Sequence, residues 1–202
     1  MMSDEFERST QHAARSTLRP AVFLDRDGTI NVEKEYLHRA EEFEFISGAP
    51  EAIRLLNEAG FLVIVVTNQS GVGRGYYDEE SVHRLHRYMD GELARHGASV
   101  DAYYLCPHHP LHGIGDYRRE CGCRKPLPGM LLEAARDFTI DLAASYIVGD
   151  KLADVEAGHA AGCRPLLVRT GYGEEESPRL PAGVPVYDDI LAAVRAIAGG
   201  KV

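Results

Sequence analysis

Two aspartates separated by one residue, Asp25 and Asp27 in the run Asp25-Arg26-Asp27-Gly28-Thr29, follow directly on a short apolar stretch. A carboxylate can attack phosphorus and form an acyl phosphate, provided that a hard cation such as Mg²⁺ offsets the repulsion between the two anions. The second carboxylate can protonate the departing alcohol and later activate water. Asp-x-Asp-Gly also builds ordinary Asx-type turns after strands, so the run acquires chemical meaning only if matching groups recur elsewhere.

They do, in three places. Thr67-Asn68-Gln69-Ser70-Gly71 offers a hydroxyl, amides and free backbone N–H groups, a neutral donor cluster suited to phosphate oxygens. Its plain alternative is a polar strand-end turn. Arg124-Lys125-Pro126 places adjacent cations where they can hold a phosphate and stabilise charge in transfer, although two basic residues in a loop are more often a solvated surface. Val148-Gly149-Asp150-Lys151, with Asp154 just beyond, supplies a further strand-end acid that can also serve as a helix N-cap.

The elements that must position these groups alternate along the chain. Apolar, β-rich runs at Ala21–Asp25, Phe61–Thr67, Ala102–Cys106, Ser145–Gly149 and Arg164–Arg169 read as strands. Helical patterns lie at Pro50–Ala59, from Asp78 to His96, Pro128–Phe138, Lys151–Ala161 and Asp188–Ala198, several closed by glycine. Such alternation predicts an α/β fold, a parallel Rossmann-like sheet in three layers, with ligands at the carboxyl ends of the strands. Asp25, Thr67, Cys106 and Asp150 all stand at such ends. Residues 1–20 lack a hydrophobic period and are expected to be a flexible tail, with residues 21–202 forming a single domain.

Cys106-Pro107-His108 and, after twelve intervening residues, Cys121-Gly122-Cys123 supply four soft or borderline ligands, a set that matches tetrahedral Zn²⁺. Four protein ligands leave no open position, so the zinc is expected to be structural, holding a loop over 106–125 that carries Arg124 and Lys125. His109 and His112 compete with His108 for the fourth place, and reduced thiols or a redox pair at Cys121 and Cys123 are the other readings. Cys163, after Gly162, reads as a small buried residue.

The net charge of −9 provides no field to attract nucleic acid or an anionic membrane, yet it leaves room for an anionic small molecule met by local cations. The most apolar stretch, Phe61–Val66, is far too short to span a bilayer, and the polar N-terminus has no apolar segment of a secretory signal. The expectation is a cytoplasmic monomer with Mg²⁺ and Zn²⁺ and a small-molecule partner.

Asp25-Arg26-Asp27-Gly28-Thr29 resembles the first motif of the haloacid dehalogenase-like phosphatases, and the other three motifs occur in that superfamily's order. Together with Cys-Pro-His, Cys-Gly-Cys-Arg-Lys-Pro and Gly-Asp-Lys-Leu-Ala-Asp, they resemble the D-glycero-D-manno-heptose 1,7-bisphosphate phosphatases over roughly Ala21 to Thr170. The resemblance implies removal of the 7-phosphate from that sugar through an aspartyl-phosphate, a step towards activated heptose for bacterial surface polysaccharide. It further implies Asp25 as nucleophile, Asp27 as acid and base, and Thr67 and Lys125 on the transferred phosphate. Mg²⁺ would be held by Asp25, Asp150 and Asp27, the last through its backbone carbonyl. Substrate contacts would come from Asp25, Arg26 and Asp27, from Glu33, Lys34, Glu35 and Tyr36, from Thr67, Asn68, Gln69 and Ser70, and from Arg124, Lys125 and Lys151. Glu35 stands where the family commonly has glycine. Histidinol-phosphate phosphatases share the aspartates and zinc pairs, and polynucleotide 3′-phosphatases share Thr-Asn-Gln-x-Gly, but the acidic chain has no basic track for a nucleic-acid backbone. A non-catalytic zinc-stabilised binding module would not need the second carboxylate.

Overall fold

The computed structural model describes residues 18–202. Its strands are β1 (Ala21–Leu24), β2 (Leu62–Asn68), β3 (Ala102–Cys106), β4 (Tyr146–Gly149), β5 (Arg164–Val168) and β6 (Val186–Tyr187). The helices are α1 (Ala49–Glu58), α2 (Ser70–Gly73), α3 (Glu79–Arg95), α4 (Gly129–Phe138), α5 (Leu152–Ala161), α6 (Gly173–Glu176) and α7 (Ile190–Ala198). All strand pairs are parallel, in the order β3-β2-β1-β4-β5-β6. This is the α/β architecture expected from the alternation of strand and helix patterns.

The central strands read as unbroken apolar runs because both of their faces are covered. Successive β1 side chains enter different cores. Val22 and Leu24 join a cluster with Ile53 and Leu56 of α1, Met89 of α3 and Val194 of α7. Ala21 and Phe23 join another with Met130 and Leu131 of α4 and Ala157 of α5. Each fully buried large aliphatic or aromatic side chain contributes about 1.5–3 kcal/mol over its exposed state, which is what sets the three layers.

Caps fix where helices begin. Asp78 accepts the Ser81 N–H at 2.8 Å at the head of α3, and Asp189 accepts that of Ala192 at 2.8 Å at the head of α7. The two-residue β6 carried no strand pattern of its own; it exists because it pairs with the free edge of β5. Residues 1–17 of the expected tail lie outside the described residues. Arg19 and Pro20, assigned to the same tail, are tied down: Asp141 donates to the Arg19 carbonyl at 2.9 Å and Leu62 to that of Pro20 at 3.0 Å.

Parallel register brings the strand ends together. Leu24 pairs with Val65 on one side and Val148 on the other, so the residues that follow β1, β2 and β4 emerge on one edge of the sheet. The chain reverses its direction of strand addition between β1 and β4, and a crevice opens there for a ligand.

Candidate active site

Three carboxylates meet at that crevice. Oxygens of Asp25, Asp150 and Asp154 lie within 4.8 Å of one another, all on buried residues. Lys125 joins them with its Nζ 2.9 Å from Asp25 Oδ1 and 2.6 Å from Asp154 Oδ1, and it donates to the Val66 carbonyl at 2.7 Å. Burial disfavours the ammonium, but Asp154 and Asp25 beside it hold Lys125 above its ordinary range. Asp154 thus supports the site through Lys125, and its other oxygen accepts the Lys151 N–H at 3.1 Å at the start of α5.

Asp150 is the strained member. It is 0% exposed; one oxygen accepts the Tyr172 N–H at 2.9 Å, while Oδ1 has no hydrogen-bond partner among the described residues and faces the Lys151 ammonium at 3.9 Å. Burial, and then the charge of Asp25, push its carboxyl up to about 8. Backbone crowds it closely: Gly28 has φ +84°, and a Cβ there would lie 2.2 Å from Asp150 Oδ2. The Thr170 hydroxyl donates to the Gly28 carbonyl at 2.6 Å, tying the turn after β5 to the turn after β1.

Asp27 is held from three sides. Arg26 Nη2 lies 2.9 and 2.8 Å from its two oxygens, and Asn31 and Gln69 each donate to it at 3.0 Å. Burial raises the Asp27 carboxyl, but Arg26 and these amides outweigh it and keep the group below its ordinary range. The Arg26 side chain is itself fully buried, with Leu37 O at 3.0 Å and His86 Nε2 at 3.4 Å, so any contact of Arg26 with substrate falls to its backbone.

The turn after β2 completes the phosphate-sized end of a cleft of about 370 Å³. Gln69 also donates to Thr67 Oγ1 at 2.9 Å and accepts from the Tyr77 hydroxyl at 2.9 Å. Asn68 exchanges hydrogen bonds with the Lys125 backbone, 3.0 Å to its carbonyl and 3.1 Å from its N–H, which locks the basic loop onto β2. Asn68, Ser70 and Arg124 line the cleft, with Arg124 donating to the His108 carbonyl at 3.1 Å. Glu33, Glu35, Tyr36 and Lys151 line the cleft too, and Lys151 Nζ is 3.3 Å from Glu33 Oε2. Lys34, expected among the substrate contacts, instead turns outward to Glu44 at 3.0 Å and the Glu42 carbonyl at 2.8 Å.

The structure also brings Cys106, His108, Cys121 and Cys123 together. The sulfurs lie 3.2 to 3.5 Å apart, and His108 Nδ1 is 3.7 Å from Cys106 and 3.5 Å from Cys123. A zinc ion with Zn–S bonds of about 2.3 Å needs tetrahedron edges of about 3.8 Å, so a small relaxation accommodates it. His109 stands outside the cluster, its Nδ1 accepting the backbone N–H groups of Leu111 and His112.

Residues 122–196 match the HAD-hydrolase-like family model. The chain is 50% identical to the D-glycero-β-D-manno-heptose-1,7-bisphosphate 7-phosphatase of Yersinia pestis over 153 residues, 75% of this chain and 81% of that protein. It is 52% identical to the enzyme of the same name from Vibrio cholerae over 155 residues, 76% of this chain and 83% of that one. The chain belongs to the heptose bisphosphate phosphatase family.

Solved members agree with the fold. The D,D-heptose 1,7-bisphosphate phosphatase of B. bronchiseptica, crystallised with magnesium and phosphate, superposes with a TM-score of 0.81 at 38% identity, covering 90% of this chain and 99% of that one. The Burkholderia thailandensis enzyme gives 0.66 at 36% identity, covering 88% and 97%. A heptose bisphosphate phosphatase needs a hard-cation site, and the residues here fit one. Among the described residues Asp150 Oδ1 is a buried carboxyl oxygen without a hydrogen-bond partner beside Asp25, and oxygen donors are what Mg²⁺ takes. The backbone at Glu35 is left-handed with φ 46°, a conformation that glycine adopts without strain. Sequence reasoning missed Tyr77 and Tyr172 as cleft-lining residues. Tyr172 follows β5, so the strand-end rule could have found it; Tyr77 comes in from the loop between α2 and α3 and carried no local signal.

Proposed function

We propose that this protein hydrolyses the 7-phosphate of D-glycero-D-manno-heptose 1,7-bisphosphate through an aspartyl-phosphate on Asp25. The observation that carries the reading is the buried Asp25–Lys125–Asp154 chain beside Asp150, whose Oδ1 has no hydrogen-bond partner among the described residues, in a cleft that Lys151 also lines. A carboxylate locked to a buried ammonium is poised to receive a phosphoryl group, and Lys125 can follow the charge from the carboxylate to the phosphate. The names of the relatives favour the β anomer.

Asp25, Asp150 and the backbone carbonyl of Asp27 would hold Mg²⁺, which would offset the repulsion between the carboxylate nucleophile and the phosphate. Asp25 attacks phosphorus and the sugar O7 departs, taking a proton from Asp27. Asp27 is ionised in the free site, and the arrival of a phosphate dianion beside it favours its protonated form. In the second half Asp27 takes a proton from water, which attacks the phosphoryl-aspartate, frees phosphate and regenerates the Asp25 carboxylate. Thr67 and the turn after it bind the transferred phosphate. Zn²⁺ on Cys106, His108, Cys121 and Cys123 holds the loop that delivers Arg124 and Lys125.

Phosphate release should be compared for the two anomers of the bisphosphate and for histidinol phosphate, with and without Mg²⁺. A Mg²⁺-dependent preference for a heptose bisphosphate is expected, and Asp25→Asn should lose more than about 10³-fold in kcat while keeping its fold and zinc content. Faster release from histidinol phosphate, or substantial turnover by Asp25→Asn, would overturn the substrate or the covalent mechanism respectively.

A further inference from the structure

The turn after β5 contributes a residue to the cleft that the reaction chemistry does not require. Tyr172 lines the cleft, and its ring lies 4.6 Å from Lys151 Nζ in a cation–π contact. Its backbone does something different, donating to Asp150 Oδ2 at 2.9 Å. The preceding residues fix its place: Thr170 is bonded to the Gly28 carbonyl at 2.6 Å, and Gly171, with φ +58°, sits so close that a Cβ there would lie 2.7 Å from the Gly28 Cα. The ring is therefore anchored by the backbone of the cation site, yet the side chain remains 38% exposed.

From this placement we propose that Tyr172 is a specificity-determining residue, which aims the Lys151 ammonium into the cleft and presents a ring edge to the sugar of a bisphosphate. A lysine side chain has four rotatable bonds, and here Glu33 at 3.3 Å, the Asp150 carboxyl at 3.9 Å and the Tyr172 ring restrain its head group. Glu33 alone would draw the ammonium towards an anion that competes with substrate. The ring attracts the same charge without neutralising it, so Lys151 stays available to a second anionic group of the substrate. A small phosphomonoester has no such group and no sugar to lay against the ring. Tyr172 acts through Lys151 and the substrate, so it is a positioning residue for recognition and not for phosphoryl transfer.

The inference rests on the bisphosphatase reading, and one experiment separates the two. Steady-state kcat/KM is measured for heptose 1,7-bisphosphate and for p-nitrophenyl phosphate, in wild type, Tyr172→Phe and Tyr172→Ala, all with saturating Mg²⁺. Wild type should prefer the bisphosphate. Tyr172→Ala should lower that preference about tenfold, chiefly by raising KM for the bisphosphate, and Tyr172→Phe should restore it because the ring face is kept. If wild type shows no preference, the bisphosphatase reading fails and takes the inference with it. If wild type prefers the bisphosphate but Tyr172→Ala depresses both substrates equally, or neither, only the role of Tyr172 is refuted. Equal loss would mean that the ring merely supports Asp150.

Discussion

Cation binding at Asp150 should be linked to one proton. Burial and the Asp25 charge push the Asp150 carboxyl up to about 8, from an ordinary value of 3.8. A raised carboxyl favours the protonated apoprotein, so its contribution to apoprotein stability is complete below the ordinary value and fades as pH rises towards 8, by at most about 1.4 kcal/mol per pH unit. Mg²⁺ reverses the preference, because it requires the ionised group. Below about pH 8 its apparent affinity should therefore fall about tenfold per unit, or roughly 100-fold by pH 6. Calorimetric titration with Mg²⁺ near pH 7, in buffers of different ionisation enthalpy, should show close to one proton released per ion. Asp150→Asn should abolish that release and flatten the pH dependence of apoprotein melting. An Mg²⁺ affinity that is flat between about pH 6 and 8, with no proton release, would refute the account of Asp150 as a buried carboxyl that ionises when the cation binds.

Gly28→Ala should cost about 2–4 kcal/mol in denaturant unfolding and weaken Mg²⁺ binding, since its Cβ would stand 2.2 Å from Asp150 Oδ2 at a φ of +84°; wild-type stability would contradict the described packing. His86, pushed down to about 3 by burial and then by Arg26, is neutral in the fold, so its contribution is complete above about pH 6.5 and is lost as pH falls towards 3. His86→Gln should remove about 2–3 kcal/mol of the stability difference between roughly pH 7 and 4.5, and an unchanged difference would exclude this source. Removing zinc by chelation, or through Cys123→Ser, should quicken proteolysis within residues 106–125 and lower activity at least about tenfold by releasing Lys125. Unchanged proteolysis after verified metal loss would show that the loop needs no ion.

Much of this site was legible along the chain because strand ends punctuate it. A run buried on both faces, such as Leu62–Val66, must be almost wholly apolar, so the first polar residue after it marks the sheet edge where ligands collect. That logic located Asp25, Thr67 and Asp150, and the Cys-x-His and Cys-x-Cys spacings located the sulfur cluster. The same logic failed for β6, whose two residues form a strand only against β5.

Direction and pairing of side chains were decided in three dimensions. Arg26 and Lys34 sit among site residues in sequence, yet one is turned inward on Asp27 and the other outward to Glu44. Asp154 read as a support standing behind the site, and only the packed structure shows that it acts through Lys125, which lies 29 positions earlier in the chain. Composition and period determine which residues must be buried and where strands stop, because those follow from local solvation and local geometry. Which carboxylate is neutralised, which is left without a partner, and which ring meets which ammonium depend on loops brought together across the sheet, and only the packed tertiary structure fixes those distances.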